Sequence, residues 1–137
     1  MAQRLEVEWL KSAYSDILMM ERALDSDFLT HMVAFHSQQA IEKSFKALIV
    51  YKNDSIEKTH DIFRLYLMVQ NDIGDLDETL IERINEIYIE ARYPGSLGLL
   101  PYGKPTIDDS KEFYKFAKDI FDKVCKIIDV NYDDLLK

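Results

Sequence analysis

The chain is poor in residues that break or cross-link a fold. Its 137 residues include four glycines, three prolines and one cysteine. A single cysteine, Cys125, excludes an internal disulfide, and its simplest interpretation is a small core residue on the last helix. No apolar run is long enough to span a bilayer, and the first residues lack the basic-then-apolar layout of a signal peptide. We therefore expect a cytoplasmic protein.

Positive charge is also scarce. Lys and Arg number 17 against 25 Asp and Glu, which gives a net charge of −8. Non-specific binding of nucleic acids relies on an excess of Lys and Arg, so the charge balance makes RNA the less favoured ligand. The content of 47% apolar and 31% charged residues is typical of a globular protein. The length predicts one domain over residues 1–137, with a core at about 4–130.

Helical periodicity runs through most of the chain, whereas no alternating strand pattern occurs. Apolar residues spaced by three and four predict helices at about 4–24, 27–52, 60–71, 78–92 and 107–129. Asp25–Asp27 and Thr59 are candidate caps of the second and third helices, and Thr106 with Asp109 resembles a capping box. We expect the tail, 131–137, either to fray or to dock. The sequence thus predicts an all-α, up-and-down bundle of about five helices, four long and one shorter.

The segment between Tyr93 and Thr106 is the exception to this helical pattern. It contains all three prolines and three of the four glycines. It is long for a connection in a bundle, and long ordered loops often have a function. Because the segment is unusually apolar, we expect it to pack either on its own domain or on a neighbour. The apolar residues are Leu97, Leu99, Leu100 and Tyr102.

The second predicted helix changes character along one side. An apolar stripe that begins at Phe28, Met32 and Phe35 turns polar, because His36, Gln39, Lys43 and Lys46 recur at steps of three, four and three. Burying such groups costs about 1–3 kcal/mol each unless they find partners. This polar seam therefore predicts a partner surface, a ligand site or a satisfied internal network.

Three segments, in order along the chain, resemble a known family. The segment Phe35–Leu48 reads Phe-His-x-Gln-Gln-Ala-x-Glu-Lys-x-x-Lys-Ala-Leu, which resembles the signature helix of HEPN domains (higher eukaryotes and prokaryotes nucleotide-binding). The segment 58–61, Lys-Thr-His-Asp, resembles the opening of the family's third helix. The segment 90–94, Glu-Ala-Arg-Tyr-Pro, resembles the end of its fourth helix.

This resemblance implies a function in binding. It implies a dimer that works beside a minimal nucleotidyltransferase, as in toxin–antitoxin or nucleotide-transfer pairs, with a nucleotide such as ATP as a candidate ligand. Glutamine offers a donor and an acceptor, lysine offers a point charge, and glutamate can orient lysine. The start of the third helix is a physically reasonable place for a phosphate. The candidate ligand- or partner-binding residues are His36, Gln39, Glu42, Lys43, Lys46, His60, Arg92 and Tyr93.

The nuclease motif of the family is absent from the chain. Nuclease members carry an Arg followed, after four to six residues, by a His, which supplies a cation for the phosphate and a group that moves a proton. No arginine here has a histidine at that spacing. We therefore assign no catalytic residue and no cofactor. We also assign no metal, because His31 and His36 lie off the same-face spacing. Two alternatives remain open: a ribonuclease with a non-standard site that uses Arg92 with His36 or His60, and a purely structural homodimer.

Overall fold

The computed structural model describes residues 4–56, 58–91 and 104–137, except for the side chains of 89–91. These residues form six helices, and no strand occurs within the described ranges. The all-α prediction is therefore confirmed, with five substantial helices and one short one at the end. In chain order they are α1 (Leu5–Ala23), α2 (Thr30–Tyr51), α3 (Ile62–Ile73), α4 (Glu78–Ala91), α5 (Ile107–Ile128) and α6 (Tyr132–Leu135).

Helix α2 is the central element of the bundle. It contacts α1, α3, α4 and α5. Of its 22 residues, 14 are buried, which is far more than the single stripe that a surface helix presents to a core. Many polar residues of α2 are therefore buried, where a hydrogen-bond partner lowers the cost of removing them from water.

The core is one cluster of buried side chains to which all six helices contribute. Its largest fully buried members include Leu10, Phe45, Tyr66, Phe113 and Phe121. Cys125 is also buried, as the sequence predicts, and burial raises the pKa of its thiol to about 12. Among the described residues, no helix combines the length and the apolar character that crossing a membrane requires.

The predicted start of α2 is wrong by three residues. The helix begins at Thr30, and no side-chain hydrogen bond caps it at its N-cap residue, Leu29. The capping candidates Asp25–Asp27 instead belong to the turn, where the Ser26 hydroxyl accepts a hydrogen bond from the Leu29 N–H at 3.2 Å. The cap-forming residues of this segment therefore mark the turn that precedes α2 and not the first residue of the helix.

Helix α3 is capped by Asp61 and not by Thr59. The Asp61 carboxylate accepts from the backbone N–H groups of Phe63 and Arg64 at 3.0 and 3.2 Å. Thr59 lies one step further out, and its hydroxyl accepts from the Asp61 N–H at 3.0 Å. A carboxylate next to the positive end of the helix is the stronger cap, because it adds charge to the hydrogen bond.

The capping box predicted at the start of α5 is confirmed. The Thr106 hydroxyl accepts from the Asp109 N–H at 3.0 Å, and the Asp109 carboxylate accepts from the Thr106 N–H at 2.9 Å. Arg83 of α4 donates to the same carboxylate at 2.8 Å. Burial opposes ionisation of Asp109, but these hydrogen bonds and Arg83 outweigh it and lower the pKa of the carboxyl. The box thereby joins α4 to α5.

The C-terminal residues dock. Tyr132 stacks on Tyr14 of α1 with the ring centroids 5.1 Å apart, and Leu135 is buried. The Tyr132 hydroxyl also contacts the Asp122 carboxylate and accepts from Lys118 at 2.9 Å. In contrast, most of the apolar segment predicted between Tyr93 and Thr106 lies outside the described residues.

Candidate functional site

A buried carboxylate near the middle of α2 organises the first polar cluster. Glu42 Oε2 accepts from Lys46 Nζ at 2.9 Å, and Oε1 accepts from Gln38 Nε2 at 3.1 Å. Oε1 also lies 3.0 Å from Nδ1 of His60. The side chains of Lys46 and Glu42 are only 8% and 5% exposed. We call these four residues the Glu42 cluster.

Within the Glu42 cluster, His60 is held at two points. Gln38 donates to its backbone carbonyl at 2.7 Å, while Glu42 contacts Nδ1 of its ring. The ring also lies 6.2 Å from the ring of Tyr88 on α4. Nevertheless, 61% of the His60 side chain is exposed. The contacts thus fix the entry to α3, while most of the His60 side chain stays exposed to solvent.

A second carboxylate, Asp16 of α1, organises another pair of residues from α2. Its Oδ1 lies 2.7 Å from His36 Nδ1, and its Oδ2 accepts from Lys43 Nζ at 2.9 Å. Asp16 is buried, and both partners are half-buried. We call these three residues the Asp16 cluster. Like the Glu42 cluster, it combines one carboxylate, one lysine and one histidine.

Sequence reasoning missed Asp16, although a signal for it exists. Asp16 lies on the buried face of α1 with Ala13, Ile17 and Met20, where the helical spacing requires an apolar residue. Residues Lys46 and Trp9 form a further contact that the sequence did not indicate. Lys46 Nζ lies 5.4 Å from the centroid of the Trp9 ring, in the range of a cation–π interaction.

The polar seam of α2 is an internal network. Its remaining member, Gln39, donates to the Gln38 side chain at 2.7 Å. Every predicted site residue that the structure describes therefore has a partner within the chain. The structure does not bring His36 and His60 together in one cluster, because each is bound to a different carboxylate. Arg92 and Tyr93 lie outside the described residues, and a role of the eight residues in ligand binding stays a prediction.

The start of α3 offers little to a phosphate, contrary to the expectation from sequence. A helix N-terminus binds anions through free backbone N–H groups. Here the Ile62 N–H donates to the Asn85 side chain at 3.2 Å, and those of Phe63 and Arg64 donate to Asp61. The first three amides of the helix are therefore in use, and the group that uses two of them is itself an anion.

The two lysines of the seam are similarly engaged. Lys43 and Lys46 each neutralise a buried carboxylate, so neither can hold a phosphate without leaving an unpaired charge behind. Within the described part of the chain, no group of three or more His, Cys, Asp and Glu side chains could hold a metal ion. Of the predicted site residues that the structure describes, His60 alone is exposed.

Comparison with known proteins agrees with this architecture. The family model described as the HEPN domain matches residues 7–128. The chain belongs to the HEPN family. In this HEPN domain the signature helix is α2, and its Glu and second Lys form the buried pair of the Glu42 cluster.

Two solved structures are similar to this HEPN domain. TT1696 from Thermus thermophilus is 24% identical, with a TM-score of 0.71, and the match covers 90% of this chain and 98% of that one. ST0689, described as an archaeal HEPN homologue, is 22% identical with a TM-score of 0.62, and the match covers 93% and 99%. At these identities the likeness concerns the fold alone. No curated protein matches the chain.

Proposed function

We propose that this chain is a non-catalytic HEPN-type protein that binds a nucleotide and a protein partner. It forms dimers and works beside a minimal nucleotidyltransferase, in a pair of the toxin–antitoxin kind. One observation carries the binding part of the proposal. The side chain of His60 is exposed, yet Glu42 contacts Nδ1 of its ring and Gln38 donates to its backbone carbonyl.

An exposed side chain that is already fixed is suited to recognition. A group that is ordered before its ligand arrives loses less conformational entropy on binding, so more of the contact energy remains as affinity. Most exposed side chains lack such anchors. The non-catalytic part rests on two further facts. No Arg precedes a His at the nuclease spacing, and both lysines of the seam neutralise buried carboxylates.

The nucleotide part can be tested by calorimetry of the purified chain with ATP, AMP and short RNA. We expect heat of binding with a nucleotide and a weaker signal in His60→Ala, because the anchored imidazole is then missing. Lys115→Ala is a suitable control, since Lys115 pairs with Asp119 on the exposed side of α5. Absence of heat with all three ligands would contradict nucleotide binding. Cleavage of the RNA by the pure protein would contradict the non-catalytic assignment.

The partner part is tested by light scattering of the chain alone and after co-expression with a nucleotidyltransferase encoded beside it. We expect the mass of two chains for the protein alone and a larger complex with the transferase. Reversing the charge of Lys46 is a poor test, because it would place two carboxylates together in the core. A monomer that does not associate with the transferase would contradict this part.

A further inference from the structure

The contact with Glu42 determines which nitrogen of His60 carries the proton in the neutral ring. Both oxygens of Glu42 already accept hydrogen bonds, from Lys46 and from Gln38, so the carboxylate is an acceptor towards its other neighbours. His60 Nδ1, at 3.0 Å from Oε1, must therefore be the donor. The neutral ring then has its lone pair on Nε2, and 61% of the His60 side chain is exposed.

The residue beside His60 adds a second acceptor. Asp61 is exposed, and its Oδ1 accepts the hydrogen bonds from α3 together with one from Asn85 at 2.9 Å. All three hydrogen bonds are accepted by Oδ1. A carboxylate on the residue that follows His60 favours donor groups over anions at this position. Lys58, two residues before His60, is exposed and is the nearest residue in sequence whose charge would attract an anion.

We propose that Nε2 of His60 is the hydrogen-bond acceptor of a nucleoside site, and that it binds a neutral donor of the nucleoside rather than a phosphate. The donor is a ribose hydroxyl or an exocyclic amino group. This inference rests on the proposed nucleotide binding and specifies which part of the ligand is recognised. Glu42 is a positioning residue for it, because its contact with Nδ1 orients the ring and makes Nε2 the acceptor.

Nitrogen-15 NMR of the histidine rings tests the positioning role. At a pH where the rings are neutral, we expect His60 to carry its proton on Nδ1. His31 provides an internal comparison, because the described groups that act on its ring are Lys104 and the backbone of Phe28. In Glu42→Gln the acceptor becomes an amide, so the preference of His60 for Nδ1–H should weaken. A His60 ring protonated on Nε2 in the unaltered protein would overturn the inference.

Titration with four probes tests the ligand class on the same sample. We expect adenosine and ATP to shift the Nε2 signal of His60, and inorganic phosphate to leave it unchanged. Purine riboside, which lacks the amino group but keeps the hydroxyls, separates the two donors. It shifts the signal if a ribose hydroxyl is bound and does not if the amino group is bound. A shift with phosphate alone, or with the transferase but no nucleoside, would overturn the proposal.

Substitution of His60 provides the matched variant. In His60→Asn the side-chain amide can still donate to Glu42, but no acceptor remains at the position of Nε2. We expect adenosine affinity to fall about tenfold, as for one lost hydrogen bond, while His31→Asn leaves it unchanged. Unchanged affinity in a folded His60→Asn would refute the site. If no nucleotide binds anywhere, the proposed function fails as well, whereas a wrong protonation state refutes this inference alone.

Discussion

The buried pair of Glu42 and Lys46 allows a quantitative test of the internal network. Removal of one partner from a buried ion pair leaves an uncompensated charge, which costs about 3–5 kcal/mol. Replacing Glu42 with Leu would strand Lys46 in this way and would also remove an acceptor from Gln38 and His60. We therefore expect Glu42→Leu to lower the free energy of unfolding by about 3–5 kcal/mol. Domains of this kind have only about 5–15 kcal/mol in total.

The double variant Glu42→Leu/Lys46→Met separates charge from packing. Replacement of a whole buried pair by apolar residues is often nearly neutral, so the second substitution should recover part of the loss. Some cost remains, since Gln38 and His60 still lack their acceptor, at about 1 kcal/mol for each hydrogen bond. We thus expect the double variant to be more stable than Glu42→Leu alone.

The exposed pair of Lys115 and Asp119 is a matched control on α5. It has the same four-residue spacing and an N–O distance of 2.8 Å, against 2.9 Å for the buried pair, but its side chains are 77% and 57% exposed. Exposed pairs at this spacing contribute about 0.3–0.5 kcal/mol at most. Asp119→Leu should therefore change stability little.

The assay is denaturant unfolding followed by far-ultraviolet circular dichroism. Fluorescence of Trp9 is unsuitable as the sole probe, because Lys46 lies against its ring and the substitution alters the signal itself. Two results would refute the reasoning. One is a similar loss of stability in Glu42→Leu and Asp119→Leu. The other is a loss of stability in Glu42→Leu/Lys46→Met that equals the sum of the losses in Glu42→Leu and in Lys46→Met.

Three further predictions concern other parts of the fold. Burial, with a further contribution from Asp122, raises the pKa of the Cys125 thiol to about 12. The thiol should therefore resist iodoacetamide at neutral pH until the protein is unfolded. Rapid labelling of the native chain would contradict its buried placement. Burial, with repulsion from Lys104, lowers the pKa of His31 from its ordinary value of 6.5. The unfolded chain therefore binds the proton more readily, so unfolding free energy should fall as pH drops below about 6.5, and less steeply in His31→Gln. An equal slope in both proteins would show that His31 is not the cause. Tyr132→Phe loses the hydroxyl contacts with Lys118 and Asp122 but keeps the stacking on Tyr14. It should lower the free energy of unfolding, measured with denaturant, by about 1 kcal/mol. Tyr132→Ala also loses the stacking and should lower it more.

Local signals in the sequence were enough to predict the helices and the family. The spacing of apolar residues predicted the first five helices, four long and one shorter, to within three residues at each end, because periodicity is a property of neighbouring positions. The Thr106–Asp109 capping box was predicted for the same reason, since both of its hydrogen bonds join residues three apart. The motif in Phe35–Leu48 likewise indicated the HEPN family without any knowledge of contacts.

What the sequence left open was the nature of the polar seam, and only the packing of helices decided it. Lys43 and His36 find their carboxylate on α1, in Asp16, and Glu42 reaches His60 across the gap between α2 and α3. The cap of α3 was mistaken although its hydrogen bonds are local, because Thr59 and Asp61 are both cap-forming residues and only the backbone shows that Asp61 accepts from Phe63 and Arg64. Partners that are many residues apart leave no periodic trace in the chain. A buried ion pair and a solvated one are therefore identical in sequence until the tertiary structure removes the water from one of them.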